Sequence, residues 1–305
     1  MTYSIVARDA ATGEVGVAVQ SHWFSVGSVV TWAESGVGAV ATQSFAEPAY
    51  GPRGLALMRL GVEPEVALDA LLAADAERAR RQVAFVDAQG RVAVHTGEQS
   101  IAAAGDLTGE GVTVQANLMR NEDVWPAMLD AYEAASGMEL CDRFMLALEA
   151  GERAGGDIRG RQSSAMLIMR GTSSGQPWQD RVVDLRVEDS ADPLGELRRL
   201  LDVTRAYRHM EQAELREVDG DLDGALAAYE SARGLLRGND EATFWTAILL
   251  ADAGRAAEAR ERLADISARE PGWTELVRRL PAAGLLKNGE ETVRTLLGDR
   301  VGGGS

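Results

Sequence analysis

Cysteine and lysine are almost missing from this 305-residue chain. The single cysteine, Cys141, excludes an internal disulfide and cannot by itself form a thiolate metal cluster, which agrees with a reducing compartment. Its helical surroundings favour packing over catalysis. Of the 31 basic residues only Lys287 is a lysine, so Schiff-base, Walker-type and nucleophile-assisting lysines are excluded from the body of the chain. Cationic help to catalysis must come from arginine or from a terminal amine.

Positive charge and long hydrophobic runs are also scarce. The net charge is −16, and without a dense basic patch we expect no nucleic-acid partner. No window approaches the roughly 18 consecutive apolar residues of a membrane helix, and the first residues lack a signal-peptide pattern, so we expect a cytoplasmic protein with no membrane partner. The three histidines have no H-E-x-x-H or Cys-x-x-Cys neighbours, so we expect neither a metal nor a cofactor.

The chain is organised around Thr2, which directly follows Met1. If Met1 is removed, as is usual before a small residue, the chain begins with a threonine at the head of a strand. A terminal threonine supplies a hydroxyl nucleophile and an α-amine of pKa roughly 7.7–8.0, which can take the hydroxyl proton. Alternating valines after a Gly-containing turn predict a second strand over 14–21 and hence a hairpin. The alternative is that Thr2 is merely a small residue after the start codon.

Hydrophobic periodicity predicts the remaining elements of the first 190 residues. Extended segments are expected at 23–30, 37–44, 82–87, 91–96, 112–117, 163–170 and 181–187, and helices at 55–60, 64–74, 124–135 and 140–154. This segregated order fits antiparallel sheets covered by helix pairs better than βαβ units. Residues 36–41 match the weak G-x-G-x-x-A dinucleotide fingerprint, but the strand pattern continues through them, so we regard the match as accidental.

Seven motifs, in order, carry a family resemblance. They are TYSIVARD at 2–9, QSHWFSVG at 20–27, GVGAVATQ at 36–43, YGPRG at 50–54, HTG at 95–97, QANLM at 115–119 and GDIRGRQS at 156–163. Over about residues 2–190 the chain resembles the domain of unknown function 1028, a family that is itself similar to N-terminal nucleophile (Ntn) hydrolases. The resemblance implies an α+β fold of the four-layer αββα sandwich type. It also implies an amidohydrolase that cleaves a small-molecule amide or related C–N bond through an acyl-enzyme on Thr2, without naming the substrate.

The same resemblance directs attention to a set of catalytic residues. Asn117 is our candidate oxyanion donor, with loop capping before the next helix as the alternative. Asp157 and Ser163 are candidates for orienting the terminal amine, although Asp157 could instead cap a Gly-rich turn. Ser4 or Ser21 could replace Thr2 as the nucleophile, but neither has a terminal amine. Because the lysine that proteasome-like relatives use is missing, an amine-only mechanism and a loss of catalysis both stay open.

A second set of residues is expected to bind substrate: Ser21, His22, Gln43, Arg53, His95, Arg159 and Gln162. The two arginines suit bidentate binding of a substrate carboxylate, and surface ion pairs are the alternative for both. We expect no metal ligand among the seven.

After residue 190 the pattern becomes helical, and we expect a second domain at 191–286 and a tail at 287–305. Gly220 and Gly254, like Ala225 and Ala259, lie 34 residues apart, which is the tetratricopeptide period. Helices are predicted at 204–218, 222–236, 240–253 and 256–269. Residues 302–305 resemble a flexible linker. Two repeats seldom stand alone, so we expect them to contact the first domain or a second copy in a homo-oligomer. The alternative function is a non-catalytic scaffold that binds a partner through the repeats.

Overall fold

The computed structural model describes residues 2–298, which fall into two compact units that divide between Leu200 and Leu201. The division lies inside a helix, Pro193–Val218. The boundary predicted from sequence, between residues 190 and 191, falls just before this helix begins.

The first unit contains ten strands and six helices among its described residues. The strands are β1 Thr2–Arg8, β2 Val15–Ser21, β3 Thr31–Glu34, β4 Gly38–Ser44, β5 Arg81–Asp87, β6 Val92–Thr96, β7 Gly105–Gly109, β8 Val112–Asn117, β9 Ser163–Met169 and β10 Arg181–Val187. The helices are α1 Gly27–Val30, α2 Tyr50–Arg59, α3 Pro64–Ala73, α4 Val124–Ala134, α5 Leu140–Arg153 and α6 Pro193–Val218, the last continuing into the second unit.

The strands form two antiparallel sheets, which confirms the α+β prediction. One sheet has the order β10-β9-β2-β1-β8-β7 and the other β3-β4-β5-β6. Valine and alanine side chains from both sheets, among them Val6, Val17, Ala41 and Ala84, form a buried layer between them. Helices α2 and α3 pack on the four-stranded sheet, and α4 and α5 pack on the six-stranded one. Apolar area removed from water in these layers, at about 25 cal/mol per Å², is the main stabilising contribution.

Strand β1 shows how the period of two assigns side chains to layers. Ser4 and Val6 point toward the four-stranded sheet, where Ser4 bonds to Gln43 and Val6 joins the buried valine layer. Tyr3 points the other way, and its hydroxyl donates to Glu152 of α5 at 2.8 Å. Thr2 shares the face of Ser4, because successive strand residues alternate between faces. The first residue of the described chain therefore faces the interior between the sheets.

One predicted strand is wrong. Residues 23–30 were expected to be extended, but the chain turns and forms the short helix α1. Its hydroxyl side chains bond back to the chain, Ser28 Oγ to the Ser25 carbonyl at 2.7 Å and Thr31 Oγ1 to the Gly27 carbonyl at 2.8 Å. Val26, Val29 and Val30 have the i, i+3, i+4 spacing of a helix face. The segment is rich in β-branched valines, which favour a strand, and so the helical spacing was missed.

Other element boundaries also differ from the prediction. Helix α2 begins at Tyr50, five residues before the predicted start of this helix at residue 55. Strand β7, with glycine at both ends, was not predicted. The G-x-G-x-x-A match begins in a turn and continues into strand β4 from Gly38, with no helix opening from it, which agrees with its rejection as a nucleotide site.

The second unit consists of antiparallel helices, as the repeat pattern predicts. After α6 come α7 Leu222–Leu235, α8 Glu241–Asp252, α9 Ala256–Arg269, α10 Gly272–Arg279 and α11 Glu290–Leu297. Gly220 and Gly254 both adopt positive φ, 78° and 77°, at the turns, and Ala225 and Ala259 are fully buried between helices. No helix within 2–298 is long and apolar enough to cross a membrane. The predicted linker at 302–305 lies outside the described residues.

Candidate functional site

Strand pairing brings four predicted site residues into one row. Thr2 lies opposite Ser21 on one side and opposite Asn117 on the other, and Ser21 lies opposite Ser163. All four are buried. The row crosses one end of the six-stranded sheet on the face that looks toward the other sheet, so it lies in the interior where the valine layer stops.

The polar atoms around Thr2 are close to one another. The Thr2 hydroxyl donates to Ser21 Oγ at 3.1 Å. The Asn117 amide, Nδ2, donates to Gln82 Oε1 at 2.8 Å and to the Thr2 carbonyl at a longer 3.4 Å. Gln82 therefore fixes the orientation of the Asn117 amide, and the second Nδ2 hydrogen makes only a weak bond.

A chain of side-chain hydrogen bonds extends from this row. Gln115 Nε2 donates to Ser4 Oγ at 2.5 Å, Ser4 Oγ donates to Gln43 Oε1 at 2.7 Å, and Gln43 Nε2 donates to Gln82 Oε1 at 2.8 Å. All four side chains are buried. Because Ser4 Oγ is fully inaccessible and bonded on both sides, the geometry disfavours Ser4 as a nucleophile.

A cavity of about 540 Å³ opens onto this network. It is lined by Thr2, Trp23, Val26, Val29, Val30, Gln43, Ser44, Phe45, Ala46, Arg81, Ile101, Asn117 and Arg159. Thr2, Gln43 and Asn117 form its polar floor, and α1 supplies an apolar wall. Such a cavity, mostly apolar with a few convergent polar groups, is typical of small-molecule sites.

Asp157 and Ser163 hold the loop between β2 and α1. The Asp157 carboxylate accepts from the His22 backbone N–H at 3.1 Å and pairs with the Arg159 guanidinium at 2.9 Å. Ser163 Oγ donates to the Trp23 carbonyl and accepts from the Val26 N–H at 3.0 Å. These bonds position two cavity walls, Arg159 and α1. That either side chain orients an α-amine on Thr2 stays a prediction.

Comparison with known proteins identifies the family to which the chain belongs. Residues 2–197 match the model described as "Family of unknown function (DUF1028)". The chain belongs to the DUF1028 family. Residues 219–283 match a tetratricopeptide repeat model.

A crystal structure of a DUF1028 protein from Silicibacter pomeroyi is similar to this chain. The two are 31% identical, the match covers 66% of this chain and 84% of the other, and the TM-score is 0.59. A comparison with curated proteins finds no match. The family assignment predicted from the seven motifs is thus confirmed, and the family itself carries no assigned activity.

Several predicted substrate-binding residues of this DUF1028 chain lie away from the cavity. His95 bonds through Nε2 to the Arg78 carbonyl at 2.9 Å. Arg53 lines a different cavity of about 250 Å³. The His22 ring and Gln162 bond to each other at 3.2 Å and are not lining residues. Of the predicted binding set, Gln43 and Arg159 line the cavity. Ser21 is not a lining residue, but its Oγ accepts a hydrogen bond from Thr2, which is one.

The structure adds Arg81, which the sequence did not single out. Its Nε donates to Asp75 at 2.8 Å, and Nη1 donates to the Phe45 carbonyl. The hydrogen bond to Asp75 raises the pKa of Arg81, and the reciprocal bond lowers the pKa of Asp75. The sequence signal for a role of Arg81 was its position directly before Gln82, at the start of a buried strand.

Acidic side chains near Cys141 form a separate cluster. Ligand atoms of Glu139, Cys141 and Asp142 lie within 4.8 Å of one another at the start of α5. None of the three lines the Thr2 cavity. Cys141 is buried and donates to Glu139 at 3.5 Å, so its packing role is consistent with the sequence interpretation.

Proposed function

We propose that this protein is an Ntn-type amidohydrolase, with a four-layer αββα first unit and Thr2 as its nucleophile. One observation carries the proposal: Thr2, the first residue of β1, lines a cavity and is paired across the strands with Asn117, which lines the same cavity. The helix pair on the outer face of each sheet supports the proposed sandwich.

The mechanism begins with removal of Met1, which gives Thr2 a free α-amine. That amine takes the hydroxyl proton as the Thr2 oxygen attacks the substrate carbonyl carbon. The C–N bond then breaks, the amine product leaves with a proton, and the acyl group remains on Thr2 as an ester. Water attacks the ester, the carboxylic acid leaves, and the hydroxyl is restored. Ser21, which accepts from the Thr2 hydroxyl at 3.1 Å, fixes its direction before attack.

Asn117 is the proposed oxyanion donor. Its Nδ2 bond to the Thr2 carbonyl is 3.4 Å long, so this hydrogen is only weakly bonded and can be shared with a carbonyl oxygen of the substrate while Gln82 keeps the amide in place. Catalytic hydrogen bonds are often long before substrate binds. Loss of one such donor typically lowers kcat by roughly 100- to 1,000-fold, and we expect this for Asn117→Ala.

A β-lactone electrophile tests the nucleophile. Intact and peptide mass spectrometry of protein with an untagged N-terminus would locate both Met1 and the label. We expect loss of Met1 and a label on Thr2, with no label in Thr2→Ala. The exposed, distant Thr172 gives a matched control, because Thr172→Ala should label like the wild type. Retained Met1 together with an unlabelled Thr2 would refute the terminal-amine mechanism.

The tetratricopeptide match favours a second candidate, a protein that binds a partner or a second copy through its helical unit. On this reading Thr2→Ala changes nothing measurable, whereas a charge reversal on the exposed helix α10, Arg278→Glu, abolishes association. β-Lactone labelling of Thr2 tests the first proposal, and light scattering of full-length Arg278→Glu beside the wild type tests self-association. A monomeric mass for the wild-type protein in solution would rule out self-association.

A further inference from the structure

The cavity at Thr2 differs in charge from the rest of the protein. The chain has 47 acidic and 31 basic residues, yet the cavity lining contains Arg81 and Arg159 and, within residues 2–298, no aspartate or glutamate. An anionic group entering this space meets two guanidinium groups and no carboxylate on the wall.

Each guanidinium group is held in place by an aspartate that does not line the cavity. The buried Asp157 accepts from Arg159 Nε at 3.2 Å and Nη2 at 2.9 Å, and Asp75 holds Arg81 Nε at 2.8 Å. Neither carboxylate lines the cavity. A guanidinium whose rotamer is already fixed loses less entropy when it binds a carboxylate.

The remaining wall is apolar and partly open to solvent. Helix α1 contributes Val29 and Val30, and three large side chains at the opening stay exposed, Trp23 at 59%, Phe45 at 44% and Ile101 at 42%. Large apolar side chains grouped in this way mark sites for apolar ligand groups.

We propose that the site takes N-acylated amino acids. The carboxylate of the amino acid binds to Arg159 and Arg81, and an aliphatic or aromatic portion of the molecule packs against α1 and the three exposed side chains. Water adds across the amide bond, so the products are a carboxylic acid and a free amino acid. Cleavage rests on the amidohydrolase proposed above, whereas recognition of the acid does not depend on it.

The test measures binding and labelling separately. Calorimetry compares N-hexanoyl and N-phenylacetyl derivatives of glycine, leucine and glutamate with the corresponding primary amides, which lack the α-carboxylate. A hydrogen bond to a charged group corresponds to roughly a 10- to 100-fold change in affinity, so we expect at least one acid to bind about tenfold tighter than its amide. Affinities that are equal for every pair, or no binding of any acid, would overturn the inference.

Variants assign the effect to Arg159. Arg159→Gln should reduce the preference for the acid to under about threefold, and Arg159→Lys should give an intermediate preference. Because Arg159→Gln leaves the buried Asp157 charge without its partner, the double variant with Asp157→Asn serves if the single variant fails to fold. Arg59→Gln, at an arginine on α2 that is 54% exposed, is the matched control and should keep the wild-type preference.

The two proposals fail independently. An unlabelled Thr2 in wild-type protein refutes the amidohydrolase and leaves the calorimetric comparison valid. A labelled Thr2 with equal binding of acids and amides refutes the substrate class alone. Retention of the full acid preference in Arg159→Gln also overturns the assignment.

Discussion

Gln82 joins the two sheets at the candidate site, and its replacement tests the whole polar network. It accepts from Gln43 and Asn117, both at 2.8 Å, and donates to Thr96 Oγ1 at 2.8 Å and to the Ala116 carbonyl at 2.9 Å. Gln82→Met keeps nearly the same shape and removes every one of these bonds.

The expected cost follows from the donors left behind. Each buried donor without an acceptor costs about 1–3 kcal/mol. Asn117 loses its strong bond entirely, whereas Gln43 retains longer contacts to the Thr2 and Gln115 carbonyls at 3.4 and 3.3 Å. Burial of the apolar thioether offsets part of the loss. We therefore expect the free energy of unfolding to fall by about 3 kcal/mol.

Urea unfolding of the full chain checks this value. With a slope of about 2 kcal/mol per molar, the midpoint should fall by about 1.5 M. Gln99, whose side chain is exposed, supplies the control, since Gln99→Met should stay within about 0.5 kcal/mol of the wild type. A Gln82→Met midpoint equal to that of Gln99→Met would refute the reasoning. We also expect weaker β-lactone labelling of Thr2, because Asn117 loses its fixed orientation.

Three further changes test the surroundings of the site. Asp157→Asn removes one charge of a buried pair, so unfolding free energy should fall by about 3 kcal/mol, measured by urea midpoint; an unchanged midpoint would contradict this. Gly27→Ala places a Cβ 2.5 Å from the Ala165 Cβ, so α1 must shift, which should cost about 1–3 kcal/mol and slow Thr2 labelling. The hydrogen bond from Arg81 lowers the pKa of Asp75, so this carboxylate contributes stability above its unfolded pKa of about 3.9 that is lost as pH falls through the folded value. Asp75→Asn should therefore lower the melting temperature near neutral pH and flatten its decline below about pH 4, and an equal slope in both proteins would argue against the pair.

The first unit was predictable where one face of an element is buried. Alternation of valines with small or polar residues over 14–21 predicted β2 as a strand with one buried face. The structure buries its second face as well, which the alternation did not indicate. The helical unit was predictable from the 34-residue offset, since Gly220 and Gly254 must both adopt positive φ at equivalent turns.

The contents of the cavity were predicted only in part. Thr2 and Asn117 follow from family motifs, but their placement opposite each other depends on pairing between β1 and β8, which are more than a hundred residues apart in sequence. Arg53 and Arg81 could not be ranked from sequence, because both are arginines beside buried elements. Long-range strand register decides that Arg81 lines the Thr2 cavity and that Arg53 lines another.

The composition of the layer between the two sheets supports a functional site at its polar end. At one end it contains valines and alanines, which pack at no polar cost; at the other, Ser4, Gln43, Gln82 and Gln115 are buried and bonded mainly to one another and to backbone carbonyls. Continuing the valine layer would avoid the desolvation of four polar side chains. Such a network contributes rigidity where it is fully bonded. Its position directly behind Thr2 and Asn117 therefore suits a floor whose donors must keep one orientation while a substrate binds above them.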